Sequence, residues 1–190
     1  MCSIYKAVNL VAVLAALQAG VALADTWLPP TEHSYYSANE EYFLHVVPGD
    51  GSRPARGTLY RAFPARDAQE LWARELANAY APHEVLVADA GEYVVTFDDW
   101  GQVGYGPNVV VIYGPGGELV TKFALEDLLT EDEIAAVPAT VSSRWWGGEH
   151  YLDEGAGEVV LKAVTGRVGP DGADELREIR VRLADGEVLE

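Results

Sequence analysis

The stretch Asp67-Ala-Gln-Glu-Leu-Trp-Ala-Arg-Glu-Leu-Ala-Asn-Ala79 decides the fold, because it reads two ways. Taken alone it is helical: Asp67 can cap, Glu70 follows three residues on, and Leu71, Trp72, Leu76 and Tyr80 fall near helical spacing. Taken with its surroundings it is a strand. Glu70-Leu-Trp-Ala-Arg74 stands where Glu118-Leu-Val-Thr-Lys122 stands in a second unit downstream. The repeat itself is carried by Ser37-Ala-Asn-Glu-Glu-Tyr-Phe-Leu-His-Val46, which returns as Ala88-Asp-Ala-Gly-Glu-Tyr-Val-Val-Thr-Phe97. In each copy a polar turn leads into Glu-Tyr and a β-rich run, so the strand reading prevails.

Working outward, the clearer copy predicts strands over 83–88, 92–98, 108–114 and 118–125, separated by Asp89-Ala-Gly91 and Pro115-Gly-Gly117. Val94, Val95, Val109, Val110, Val111 and Ile112 suit strands because their branched side chains are stiff and pack well on a pleated surface. The earlier copy then supplies strands over 33–37, 42–47, 57–62 and 71–76. A weaker third copy runs through 158–164, a turn at Gly169-Pro-Asp-Gly172, 178–183 and a closing hairpin at Asp185-Gly186. There Ile179, Val181 and Leu183 face one way and Arg180 and Arg182 the other. Between the second and third copies, Thr130-Glu-Asp-Glu133 forms a capping box for a short helix near 130–137 that Pro138 stops. The expectation is a mainly β chain of antiparallel four-stranded meanders, with units at about 33–78, 83–125 and 145–190. Three such blade-like units are too few for the roughly four to eight of a closed propeller. An open arc, a ring completed by a second chain, and a sandwich or barrel all remain open.

Residues 1–24 read as a secretory signal peptide: one lysine near the start, an apolar stretch from Ala7, and the small-residue site Ala22-Leu23-Ala24. Residues 25–190 then form a single β-rich domain, secreted or periplasmic, with no membrane insertion after cleavage. Cys2 is the only cysteine and leaves with the signal, which excludes a disulfide scaffold, thiol nucleophiles and cysteine metal sites. A net charge of −17 repels phosphate backbones and anionic lipid, so nucleic acid is excluded as a partner. A salty habitat or simple solubility accounts equally for so many carboxylates.

The run Gly91-Glu-Tyr-Val-Val-Thr-Phe-Asp-Asp-Trp100 with Gly104-Tyr-Gly-Pro-Asn-Val-Val-Val-Ile-Tyr113 resembles uncharacterised secreted bacterial proteins with β-propeller-blade-like repeats, and Val141-Ser-Ser-Arg-Trp-Trp146 is similar to the same group. The resemblance covers mostly residues 88–146. It implies a β-rich fold in an extracytoplasmic setting and brings no activity or site residues with it.

Two segments hold the candidate ligand-binding residues. Asp98, Asp99, Trp100 and Tyr105 lie on a glycine-rich loop whose Gly101, Gly104 and Gly106 match a phosphate-loop spacing. A strand follows where a phosphate loop needs a helix, and paired aspartates repel phosphate. The loop is therefore either a wide turn with Trp100 covering the core or a ligand loop at one rim. Trp145, Trp146, Glu149 and His150 form the densest aromatic segment, and adjacent tryptophans on a strand face opposite ways, which places one in the core and one outside. Asp98, Asp99, Asp153 and Glu154 offer hard oxygen ligands but match no calcium-loop pattern, and His33, His45, His83 and His150 lack metal-ligand spacing. No cofactor and no metal are expected. The sequence favours an exported, non-catalytic β-rich module that binds a glycan or an envelope protein. The alternatives are a carboxylate-dependent hydrolase using Asp98, Glu149 and His150, and a Ca²⁺-supported glycan-binding protein.

Overall fold

The computed structural model describes residues 27–64, 66–168 and 174–189; the signal-like segment 1–24 and the turn at 169–172 lie outside them. The ambiguous stretch is extended. Residues Gln69–Glu75 form β4, the last strand of an antiparallel sheet that also holds β1 (His33–Tyr36), β2 (Tyr42–Val47) and β3 (Arg56–Arg61) in the order β1-β2-β3-β4. Trp72 pairs with Leu59 and is buried, whereas neighbouring Leu71 is 41% exposed. Leu71 is the extra residue of a bulge, unpaired between Glu70, which faces Tyr60, and Trp72, which faces Leu59.

A second sheet follows with β5 (Pro82–Val87), β6 (Val94–Asp99), β7 (Val110–Tyr113) and β8 (Leu119–Phe123) in the order β5-β6-β7-β8. The third contains β9 (Tyr151–Asp153), β10 (Glu158–Val168), β11 (Asp174–Arg182) and β12 (Val188–Leu189), again in meander order. Each sheet is thus a four-stranded meander, and no closed barrel forms among the described residues. A 3-10 turn (Leu125–Asp127) and one helix, α1 (Glu131–Ala136), separate the second and third sheets. The helix starts where the capping box requires: Thr130 Oγ1 accepts from the Glu133 amide at 3.3 Å, and the Glu133 carboxylate accepts from the Thr130 amide at 2.9 Å.

The middle sheet is buried on both faces. Val94, Val111 and Tyr113 pack with Leu44, Val46, Leu59, Trp72 and Leu76 of the first sheet. Val95, Phe97, Val110 and Ile112 pack instead with Val159, Leu161, Ile179, Val181 and Leu183 of the third. That double burial explains why β7 is an unbroken apolar run, while β2 and β11 alternate as strands with one covered face do. The expected inward set Ile179, Val181 and Leu183 is buried, and Arg180 and Arg182 stand outside it.

The repeat is structural as well as sequential. Ser37 N donates to Tyr42 O and Glu40 N to Ser37 O; the same two bonds recur from Ala88 N to Tyr93 O and from Gly91 N to Ala88 O. Both third turn residues are left-handed, Glu40 at φ 60° and Gly91 at φ 68°. One detail of the alignment shifts. Both copies carry an irregularity within the last strand, at Leu71 and Val120; Tyr60 pairs with Glu70 and Tyr113 with Leu119, so Glu70 corresponds to Leu119 and Trp72 to Thr121, one residue from the sequence alignment.

Successive sheets are also held turn to turn. Asn39 donates from its amide and side chain to Asp89, and Asp89 N donates to Glu154 at 2.8 Å, linking the first hairpin turns of all three sheets. On the opposite strand edge Gly117 of the second sheet lies on the Trp72 ring and Gly186 of the third on Thr121, at equivalent positions. A Cβ at Gly91 would overlap the Tyr42 ring. Two opposite outcomes follow from this turn. Glu40→Gly is expected to stabilise the fold by about 0.5–1 kcal/mol, because a left-handed non-glycine residue costs about 1–2 kcal/mol and the added chain entropy takes part of that back. Gly91→Ala is expected to destabilise by about 2–4 kcal/mol from strain and overlap together. Urea unfolding of the two variants against the parent reads both signs.

Candidate functional site

The two segments singled out in the sequence come together at one end of β6. Asp98, the last but one residue of this strand, has φ 51°, a conformation in which Asp is among the better-tolerated side chains. Its side chain turns into the core. Oδ1 accepts from the Gly104 amide at 2.7 Å and Oδ2 from Trp146 Nε1 at 3.1 Å, so one carboxyl group closes the loop and anchors a tryptophan 48 residues on. Gly104 is left-handed at φ 70° and lies so close to Arg144 that a Cβ there would sit 2.6 Å from the Arg144 carbonyl oxygen. The Arg144 amide donates to Val103 O at 2.8 Å, and its guanidinium stands 4.8 Å from the Tyr105 ring centre.

Behind this seam lies a stack. His150 is sandwiched between Phe97, with ring centres 4.6 Å apart, and Trp146, 4.8 Å away. His150 Nδ1 accepts from the Lys162 amide at 3.1 Å. Asp98, Trp146 and His150 are all buried, and burial moves both titratable groups toward neutrality. Desolvation pushes the Asp98 carboxyl up to about 7 against the opposing pull of its two hydrogen bonds, with Glu84 and Asp99 adding to the rise. Desolvation, followed by the Lys162 charge, lowers the His150 imidazole to about 4.

The remaining candidates divide. Asp99 is half-buried and accepts from the Tyr80 amide at 3.3 Å. Glu149 is exposed at φ 55° and lies 3.8 Å from Lys162. Asp153 pairs with Arg180, and Glu154 is taken by the Asp89 amide, so these acids do not converge with Asp98. Among the described residues, no three His, Cys, Asp or Glu side chains gather as metal ligands would.

Trp100 and Trp145 meet in a different place. Both pack on Trp27, Trp100 edge-on at 5.2 Å and Trp145 stacked at 6.4 Å, with His83 completing the cluster 5.7 Å from Trp27. Trp100 Nε1 donates to Leu28 O at 2.7 Å, fixing the ring. Beside the cluster, where β1 and β5 approach each other, is a cleft of about 280 Å³ lined by Pro30, His33, Tyr35, Pro82, His83 and Trp100 among others. Among the described residues no carboxylate lines it, although the chain carries 30. No protein family, curated sequence or solved structure matches the chain. What the cleft can hold must follow from its own chemistry.

Among the described residues, Trp27 Nε1 and His83 Nδ1 of this cluster are buried without a hydrogen-bond partner, as are Trp72 Nε1 and Ser143 Oγ elsewhere. Burial also lowers the His83 pKa, favouring its neutral form. Sequence reasoning reached Trp100 and Trp145 but missed Trp27, His83, His33 and Tyr35. His33 and His83 were visible only as scattered histidines, and no spacing links residues brought together by the packing of one sheet on another.

Proposed function

We propose that the protein is an exported, non-catalytic binding module that takes a neutral, ring-bearing ligand, a sugar of a glycan, in the aromatic cleft between the first two sheets. The cleft's lining carries this reading: Tyr35, His33, His83 and Trp100 provide flat apolar faces with polar edges, and no carboxylate is among the described residues that line it. Aromatic rings with polar tips suit sugars, whose C–H faces stack and whose hydroxyls seek donors and acceptors. The volume sits near the lower end of small-molecule sites, enough for about one sugar ring. The signal-like residues 1–24 support export. For a hydrolase, Asp98 and His150 would have to reach substrate, and both are packed into the core.

Fluorescence reports on the site directly, since Trp27, Trp100 and Trp145 are three of the five tryptophans. Titration with a panel of neutral oligosaccharides is expected to quench or shift the emission with one member at least. Tyr35→Ala and Trp100→Ala should each weaken that binding tenfold or more, with Tyr35→Ala leaving the melting temperature within a few degrees. A panel without response, or a response surviving both substitutions, would overturn the reading.

A further inference from the structure

A cleft of about 280 Å³ has room for about one sugar ring, so a longer glycan held there has to leave it across the rim. The rim is not uniform. Among the described residues the exposed large aromatic side chains are Tyr36, Tyr80, Trp145 and Tyr151, and of these only Trp145 meets a ring that lines the cleft, its centre 6.4 Å from that of His83. The β1 side offers no equivalent. Tyr36 follows the cleft-lining Tyr35 on a strand, so it faces the other side of the sheet, where its ring lies 5.2 Å from that of Phe43.

Trp145 is held as a plate. Trp27 covers one of its faces, inclined by only 19° at 6.4 Å between ring centres, yet 43% of the residue stays open. Its backbone is fixed from both sides. The Trp145 amide donates to Pro138 O at 2.9 Å, the preceding Arg144 amide donates to Val103 O at 2.8 Å, and the following Trp146 is anchored in the core on Asp98. A ring fixed in this way gives up little freedom when a ligand lands on it, so most of the contact energy is kept as affinity. Leu28, next to Trp27 in the chain and 76% exposed, adds apolar surface to the same rim.

We infer that the open face of Trp145 is a second sugar subsite, and that the ligand is a glycan of at least two linked rings, one in the cleft and another on Trp145. This rests on the cleft reading above and extends it from a sugar to a chain. The two subsites differ in what they select. The cleft surrounds its ring with polar edges, whereas Trp145 offers only a flat face on which the C–H side of a sugar stacks while its hydroxyls stay in water. The second subsite therefore adds affinity with little discrimination among neutral sugars. Because the second ring is tethered to the first, its contact forms at high effective concentration and appears as a dependence of affinity on chain length.

Isothermal titration calorimetry with neutral oligosaccharides of glucose and of N-acetylglucosamine, from a single ring upward, tests this. In at least one series affinity is expected to rise about tenfold between the single ring and the length that reaches Trp145, then to level off. Trp145→Ala should abolish the rise and leave single-ring affinity unchanged, whereas Trp145→Tyr, which keeps a stacking face, should retain most of it. Tyr36→Ala, on the far side of the first sheet, should alter neither. Affinity that ignores length in the parent, a rise that survives Trp145→Ala, or a Trp145→Ala variant weakened equally for single rings and chains would each overturn the second subsite and leave the cleft reading standing. No heat with any member of either series would overturn the cleft and the subsite together.

Discussion

Trp146→Ala is expected to lower stability by about 3–5 kcal/mol, which for a domain of this size is a fall in melting temperature of about 10 °C or more. Trp146 is 1% exposed. Three losses coincide on truncation. The indole leaves a cavity against the cluster shared by the second and third sheets. His150 loses one of its two stacking faces. Asp98 loses a donor at 3.1 Å while remaining in the core, and a buried acceptor deprived of its partner costs more than the bond was worth. The neighbouring substitution is the control. Trp145 is 43% exposed and touches Trp27 in the rim cluster, so Trp145→Ala should cost no more than about 1 kcal/mol. Thermal melts of both variants check the contrast; equal losses would mean that Trp146 does not anchor the core.

The same pair of tryptophans shows what can be read along a chain and what cannot. Strand alternation predicts one inside and one outside, but residues 145 and 146 lie in no strand; the split is set by Asp98, reached through a bond across 48 residues. The meanders were legible because their signals are local: branched apolar runs, turn glycines, and a capping box of four consecutive residues. Even the helix-like stretch around Trp72 yielded once a second copy supplied context, although the strand pairing aligns the two last strands one residue away from the sequence match. Asp98 was misread by contrast. A loop with paired aspartates and glycines looks solvated, yet this carboxyl is 3% exposed, with Gly104 folded back on it and Trp146 bonded to it. The cleft was hidden for the same reason. Tyr35, His83 and Trp100 share no period, and they meet only because β1 and β5 lie side by side at the joint between two sheets.

Asp98 and His150 also make the acid stability of this core a balance of two opposite slopes. Asp98 has a folded pKa of about 7, above its ordinary value of 3.8, so from about pH 4 to 7 the native state holds a proton that the unfolded state has released. Stability from this group is full at low pH and declines as pH rises through that window, by about 1.4 kcal/mol per unit at most. His150 runs the other way. Its folded pKa of about 4 lies below the ordinary 6.5, so between those values the unfolded state binds the extra proton and stability is lost as pH falls. Near pH 5 the folded core holds neutral carboxyl and neutral imidazole where the unfolded chain holds both charged, and the proton counts match. The parent should therefore show little pH dependence from this pair between about pH 4.5 and 6.5. Removing either member uncovers the other. Asp98→Asn should become more stable as pH rises through this range, His150→Phe less stable, each with a slope approaching 1.4 kcal/mol per unit relative to the parent, whatever fixed cost the substitution itself carries. Urea midpoints at half-unit intervals measure both slopes. Curves for the two variants that stay parallel to the parent would show that neither group changes its proton affinity on folding; slopes of opposite sign would identify the buried carboxyl and imidazole as the two halves of one compensated charge exchange.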